Sequence, residues 1–163
     1  MPDCLDLGHH ELLRPADHIY RWVADQYVLD GRIIYAHWPT KHWKNGLSCD
    51  WGILSGANQT AKRLAGTLPA YVLRFSIQDC LELGIRIHHC PVIDEAGPGR
   101  NLAHCLLFPP DLGPSAIRQT RSDLQERGTL LLVQPRFTHT ICAFLRRWHP
   151  RYRAAIRHIQ NSI

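Results

Sequence analysis

Two apolar runs joined by a turn-rich segment constrain the fold of this chain more than any other feature of its sequence. The runs are "GIRIHHCPVI" (84–93) and "NLAHCLLF" (101–108), and both have the short apolar pattern of β-strands. The intervening "DEAGPGR" (94–100) is rich in turn-forming residues. A hairpin folded in the middle of that segment places Cys90 roughly opposite His104 on the neighbouring strand.

The predicted hairpin sorts its polar residues by face, because side chains alternate between the two faces of a strand. His88 and Cys90 fall on one face together with His104, whereas His89 and Cys105 point to the other. His104 and Cys105 therefore do not form an adjacent catalytic pair on a regular strand. The polar set that the hairpin brings together, called the strand cluster below, is His88, Cys90 and His104.

Three interpretations fit the strand cluster. The first is a zinc site, since thiolate and imidazole are preferred zinc ligands, with Cys49, Asp50 or His37 as the fourth ligand. The second makes Cys90 a nucleophile and His104 its base. The third is that these are satisfied core residues. Because the chain has no C-x-x-C pair and no glycine turn that would activate a cysteine, we expect core residues, without metal or cofactor.

The 163-residue chain is long enough for one domain with its own hydrophobic core. Its pattern predicts a single α+β domain over 1–163, with a small mixed sheet packed with helices and a helical, arginine-rich C-terminus over 138–163. Helices are predicted in 14–28, 58–66, 76–84 and 114–128. Strands are predicted after the Asp30-Gly31 turn and in 71–75, 85–93, 101–108 and 129–135, and residues 39–60 are predicted as an ordered loop region.

Cysteine spacing and the absence of long apolar runs predict where in the cell the protein is located. No run approaches the roughly 20 apolar residues that span a bilayer, and the first residues lack a basic segment followed by an apolar one. The six cysteines are scattered, without the close spacing of a secreted disulfide framework. These features predict a cytoplasmic protein with reduced thiols and no membrane association.

Charge is distributed unevenly along the chain. Residues 100–163 hold ten arginines and three acidic residues, and no acidic residue follows Glu126. Arginine favours bidentate contacts with carboxylate or phosphate. The pattern predicts docking on the acidic surface of a partner protein, with nucleic acid as the alternative partner. The predicted partner-binding residues are Arg146, Arg147, Trp148, Arg151, Tyr152, Arg153 and Arg157.

The segment "LSCDW" is followed by "LELGIRI" and then by "NLAHCLL". In this combination the chain resembles small, uncharacterised bacterial accessory proteins with an LSxD … NxAHxLL pattern, often found in defence-type gene clusters. The resemblance covers approximately residues 21–108, and it implies no particular activity. It makes Asp50, Asn101 and His104 the preferred functional positions, with Asp50 orienting the His104 imidazole and Asn101 shaping the turn before its strand. The matching positions are Leu47, Ser48, Asp50, Leu83, Gly84, Asn101, Ala103, His104, Leu106 and Leu107.

The sequence favours a non-catalytic accessory protein that acts through protein–protein contacts in a bacterial system of the defence or CRISPR-associated type. Residues 32–50 interleave basic side chains with tryptophans, as protein interfaces and nucleotide-binding surfaces both do. The alternative is therefore a small enzyme or nucleotide-binding module centred on His37, Asp50 and His104. A second alternative is nucleic-acid binding through the C-terminal arginines.

Overall fold

A seven-stranded antiparallel sheet is the centre of the part of the chain that the structure describes. The computed structural model describes residues 5–6, 14, 16–34, 43, 45–66, 68–92, 101–110 and 113–134. The strands in chain order are β1 (Leu5–Asp6), β2 (His18–Val23), β3 (Val28–Leu29), β4 (Arg32–Ile33), β5 (Leu47–Trp51), β6 (Ala70–Ser76), β7 (Arg86–His89), β8 (His104–Phe108) and β9 (Thr129–Val133). The helices are α1 (Ala57–Ala65), α2 (Ile77–Glu82) and α3 (Pro114–Arg127), and a short 3₁₀ turn covers Asp25–Tyr27.

The strands of the sheet lie in the order β1-β7-β8-β5-β2-β6-β9. Every described pair of neighbours is antiparallel, so the prediction of an α+β fold is confirmed but the prediction of a mixed sheet is wrong. Neighbouring strands that run in opposite directions can be joined by short turns, without the long crossover connection that a parallel pair needs. Strands β3 and β4 form a separate hairpin, whose Asp30-Gly31 turn has positive φ at both residues (49° and 71°). Both values fit the turn type that Asp-Gly favours, which confirms the predicted turn.

The first face of the sheet holds the main hydrophobic core. Ile19 of β2, Phe75 of β6 and Leu107 of β8 are buried there. Cys80 of α2 and Leu124 of α3 belong to the same buried cluster. Helices α2 and α3 therefore cover this face and supply its apolar contacts.

The second face of the sheet is covered by α1 over only part of its width. Helix α1 packs against β2, β6 and β9, where Ala61, Val72 and Val133 form a smaller core. Tyr20 packs against this smaller core and is the Cα partner of Asp50 on β5. Because paired residues share a face, Asp50 and its own partner His104 also point to the second face, beside α1.

Helix boundaries follow the local signals that the sequence carries. At the start of α2, Ser76 Oγ accepts from the Asp79 N–H at 3.0 Å, and Asp79 Oδ2 accepts from the Ser76 N–H at 3.1 Å. Helix α1 ends before Gly66, whose φ is 64°, and α3 begins with Pro114. The helices predicted in 58–66, 76–84 and 114–128 and the strands predicted in 71–75, 85–93, 101–108 and 129–135 are confirmed in their described parts.

Two predictions of local structure are wrong. The segment 14–28 contains β2 rather than a helix, although the four-residue spacing of Ile19 and Val23 fits a helix. The strand forms because residues 18–23 are rich in aromatic and β-branched residues and pair with β5 and β6 on both sides. The predicted loop region 39–60 contains β5 and the start of α1.

The predicted basic helical segment 138–163 lies outside the described residues. Among the helices that the structure does describe, none combines the length and the apolar character that crossing a membrane requires.

Candidate functional site

A cluster of polar side chains lies on the second face of the sheet, at the edge of α1. Strands β5 and β8 are neighbours there, and Asp50 is the Cα partner of His104. Residue Asn101 lies shortly before β8, and Thr60 and Arg63 belong to α1. The β5–β8 polar cluster, as we call it, consists of Ser48, Asp50, Thr60, Arg63, Asn101 and His104.

Asp50 is the buried centre of this cluster, with only 2% of its surface exposed. Its Oδ2 accepts hydrogen bonds from Thr60 Oγ1, at 2.6 Å, and from the guanidinium of Arg63, whose side chain is 30% exposed. Its Oδ1 accepts a hydrogen bond from Asn101 Nδ2 at 2.9 Å. Burying a carboxylate without partners costs free energy. The Asp50 carboxylate has three hydrogen-bond donors, and one of them, Arg63, also supplies the opposite charge. Asp50 therefore ties α1 to the sheet.

The His104 imidazole is bonded at both ring nitrogens. Nδ1 lies 2.6 Å from the main-chain oxygen of Cys90, and Nε2 lies 3.0 Å from Ser48 Oγ. A carbonyl oxygen can only accept, so Nδ1 carries the proton and, in the neutral ring, Nε2 is left as an acceptor. The Ser48 hydroxyl then donates its proton to Nε2. The ring is thus oriented by a main-chain carbonyl rather than by Asp50, whose oxygens are bonded to other donors.

The register of β7 and β8 confirms that Cys90 lies opposite His104, since the Cys90 N–H donates to the His104 carbonyl at 3.0 Å. However, Cys90 is disulfide-bonded. Its sulfur is therefore neither a free zinc ligand nor a nucleophile, and the prediction that all cysteines are reduced is wrong for Cys90. Among the residues that the structure describes, no group of three histidine, cysteine or acidic side chains is arranged to hold a metal ion.

The other two strand histidines pack against aromatic rings. His88, of the strand cluster, lies edge-on to Phe108 with ring centroids 5.0 Å apart. His89 points to the opposite face, where its Nε2 lies 2.7 Å from the Leu102 carbonyl and its ring contacts Trp51. The predicted alternation of faces along β7 is correct, and it separates His89 from His104.

Three free thiols lie in the main core. Cys49, Cys80 and Cys105 are buried, and Cys49 and Cys105 are Cα partners on β5 and β8. Burial raises the pKa of the Cys49 thiol to about 12 and raises the pKa values of Cys80 and Cys105 well above their usual range. These thiols therefore stay protonated near neutral pH, which is how buried structural cysteines behave.

A cleft of about 380 Å³ lies between the β3–β4 hairpin, the end of α3 and β9. Its lining includes Leu73, which belongs to the main core on the first face. The cleft is therefore separate from the β5–β8 polar cluster, where Ser48 is exposed on the second face.

The structure brings together some of the residues that the sequence singled out. Asp50, Asn101 and His104 meet in one hydrogen-bonded cluster, whereas His37 lies outside the described residues. The seven predicted partner-binding residues between 146 and 157 also lie outside them. Sequence reasoning did not give a chemical role to Ser48, although its alternation with Asp50 in "LSCDW" places both on one face of a strand.

No protein-family model matches the chain, and neither a curated protein nor a solved structure matches it.

Proposed function

We propose that this protein is a small serine hydrolase in which Ser48 is the nucleophile and His104 is the general base. The observation that supports the proposal is the pair of bonds on the His104 ring, from Nδ1 to the Cys90 carbonyl at 2.6 Å and from Nε2 to Ser48 Oγ at 3.0 Å. A nucleophile bonded to a base that is itself oriented by an acceptor is what serine catalysis requires. Here a main-chain carbonyl takes the place of the carboxylate in a Ser-His-Asp triad.

The reaction consists of two steps, acylation of Ser48 and hydrolysis of the acyl-enzyme. Ser48 Oγ forms a bond to the carbonyl carbon of an ester while His104 Nε2 takes the hydroxyl proton. The imidazolium gives this proton to the leaving alkoxide, so that an alcohol departs and the acyl group stays on Ser48. Water then attacks the acyl carbon as His104 takes its proton, and the proton returns to Ser48 Oγ when the carboxylic acid leaves.

Apolar side chains next to Ser48 favour an ester with a small apolar acyl group. Leu106 is the Cα partner of Ser48, and Phe108 follows on the same face of β8; both are half-buried. Gly46 packs closely against these two side chains, since a Cβ there would come within 2.8 Å of the Phe108 ring and 3.0 Å of Leu106 Cβ. Apolar surface beside a few directed polar groups is typical of sites for small substrates.

Hydrolysis of 4-nitrophenyl butyrate by the purified chain tests the proposal. We expect saturable turnover that falls by at least about 100-fold in Ser48→Ala and in His104→Gln, because each removes one member of the pair. Ser122→Ala is the matched control, since Ser122 lies on α3, away from the cluster. Equal turnover in Ser48→Ala and the unchanged protein would overturn the proposal.

A second candidate function is docking on an acidic partner protein, as the sequence alone favours. The observation behind it is the distribution of charge: residues 135–163 contain six arginines and no acidic residue. Two acidic side chains of the described part have arginine partners within it: Asp50 pairs with Arg63, and Glu82 pairs with Arg127. A basic segment joined to such a body favours an external acidic surface.

Purification of the full chain with its bound material, followed by cross-linking, tests this second candidate. We expect a protein that stays bound after nuclease treatment and at moderate salt, with cross-links to residues 146–157. Arg151→Ala combined with Arg153→Ala should abolish its binding, whereas Arg118→Ala, at an exposed arginine of α3, should not. Association that nuclease removes, with a salt slope near ~0.9 per contacted phosphate of duplex DNA, would instead identify nucleic acid as the partner.

A further inference from the structure

We infer that Asn101 is a positioning residue, through which the buried Asp50 carboxylate fixes the place of His104. This inference rests on the proposed hydrolase function, and it concerns how the general base is held against Ser48. Asp50 and the His104 ring share one sheet face, but the connection between them runs through the side chain and backbone of Asn101.

Asn101 uses both ends of its side-chain amide. Its Nδ2 donates to Asp50 Oδ1 at 2.9 Å, and its Oδ1 accepts from the main-chain N–H of Ala103 at 3.2 Å. Its own carbonyl accepts from the His104 N–H at 3.2 Å. Asn101 therefore holds Ala103 through its side chain and His104, the first residue of β8, through its backbone.

The backbone around Asn101 is also hydrogen-bonded to the chain on both sides, to Val92 beyond the end of β7 and to Trp51 of β5. Asn101 exchanges two main-chain hydrogen bonds with Val92, at 2.9 and 3.0 Å. On the other side, the Trp51 N–H donates to the Ala103 carbonyl at 2.7 Å. Asp50 is itself hydrogen-bonded to Thr60 and Arg63 of α1. Through its bond with Asp50, Asn101 therefore connects α1 to the start of β8, the strand that carries His104.

Direct contact does not explain how Asp50 would act on the imidazole. Both of its oxygens accept from Thr60, Arg63 or Asn101, and both His104 nitrogens are bonded elsewhere. Residues that orient a catalytic group in this way cost about 10- to 100-fold when they are removed, because small displacements of a base lower its rate steeply. We therefore expect Asn101 to affect the rate of the acylation step rather than the binding of the ester.

The chain offers a matched control at Leu124. Leu124 of α3 is fully buried in the main core on the first face of the sheet and lies outside the β5–β8 polar cluster. We expect Asn101→Ala to lower kcat for 4-nitrophenyl butyrate about 10- to 100-fold with little change in KM. Leu124→Ala should lower the denaturant concentration of unfolding at least as much but keep kcat within about threefold.

An exchange of the two polar groups gives a rescue test. Asn101→Asp alone puts a second carboxylate against Asp50 and should lower kcat at least as much as Asn101→Ala. Combining it with Asp50→Asn restores one donor and one acceptor between the two positions. The oxygen of the new amide still accepts from Thr60 and Arg63, so we expect the double variant to recover kcat to within about threefold of the unchanged protein.

The ¹⁵N spectrum of the His104 ring separates this inference from the proposed function. In the unchanged protein we expect a protonated Nδ1 and an unprotonated Nε2 for the neutral ring, and a shift toward the other tautomer in Asn101→Ala but not in Leu124→Ala. If the unchanged protein has no esterase activity, the spectrum still tests whether Asn101 positions the ring. Unchanged kcat and an unchanged His104 spectrum in Asn101→Ala would overturn the inference.

Discussion

Asp50 combines a charge, nearly complete burial and three hydrogen-bond donors. Replacing it with alanine leaves Thr60 Oγ1 and Asn101 Nδ2 without their acceptor and Arg63 without its counter-charge. Arg63 is 30% exposed and regains some hydration, so we expect Asp50→Ala to lower the free energy of unfolding by about 2–4 kcal/mol, near the lower end for broken buried pairs. Urea unfolding measures this loss. A change below about 1 kcal/mol would mean that Thr60, Arg63 and Asn101 do not hold the Asp50 carboxylate as described.

His104 and Ser48 should differ in their effect on stability, although they share a hydrogen bond. His104→Ala leaves the Cys90 carbonyl without its ring partner and opens space on the sheet face, so we expect a loss of about 1–3 kcal/mol. Ser48 is exposed, and Ser48→Ala should cost less than about 0.5 kcal/mol. Equal and large losses in both variants, measured by urea unfolding, would indicate that Ser48 is a structural residue.

The core thiols make a separate prediction about reactivity. Because burial raises the pKa of the Cys49 thiol to about 12, the thiol stays protonated at pH 8, and burial also blocks access to reagents. We expect Cys49, Cys80 and Cys105 to resist a disulfide reagent in the folded protein at pH 8 and to react at once in denaturant. Peptide mapping of the modified protein identifies the sites. Rapid modification of Cys49 in the folded protein would contradict its place in the core.

The sequence predicted part of this arrangement and missed the rest for identifiable reasons. The turn-rich segment 94–100 was enough to predict that Cys90 faces His104, because an antiparallel hairpin fixes its register from its turn. The partners of Asp50 were not predictable in the same way. Thr60 and Arg63 reach it only because α1 crosses the second face next to β5, and no local pattern specifies that packing.

Among the strands and helices, the junction after β5 is a place where only glycine fits. The Gly52 N–H donates to the His18 carbonyl at 2.7 Å, and a Cβ there would lie 2.6 Å from that oxygen and 2.9 Å from the Tyr20 ring. We expect Gly52→Ala to cost about 2–3 kcal/mol, because the obstacle is backbone rather than a movable side-chain end. Gly113→Ala is the control, since a Cβ at Gly113 meets nothing within 4 Å, and it should cost less than about 1 kcal/mol. Thermal unfolding of both variants measures the contrast, and equal melting temperatures would contradict the described approach of β2 and β5.

Two of the strands that sequence reasoning missed or assigned wrongly, β2 and β5, are neighbours in the middle of the sheet. In "HIYRWV" the apolar residues do not alternate cleanly, because Tyr20 and Trp22 pack against α1 while Ile19 and Val23 enter the main core. A strand buried on both faces loses the two-residue period that identifies a half-exposed strand. By contrast, α2 and α3 were predicted closely because their capping residues act locally.

For the described part of the chain as a unit, the partial cover of the second face by α1 is the feature with functional consequences. Helix α1 closes the part over β2, β6 and β9, and its edge holds Asp50 through Thr60 and Arg63. Beyond that edge, Ser48 is exposed while its bonding partner His104 is half-buried. A closed structural part thus lies directly beside an accessible, hydrogen-bonded serine, which is the combination of a rigid support and an open nucleophile that we expect in a small hydrolase.

The reactivity of Ser48 toward a fluorophosphonate probe is the most direct test of this interpretation. The probe forms a stable bond to a serine oxygen only when a neighbouring base removes the hydroxyl proton, so the adduct reports the Ser48–His104 pair itself. We expect one probe molecule per chain, located on Ser48 by peptide mass spectrometry, and no adduct in His104→Gln, while Ser122→Ala labels like the unchanged protein. An unlabelled protein that retains its cooperative unfolding, or a label carried by any serine other than Ser48, would contradict the assignment of Ser48 as the nucleophile.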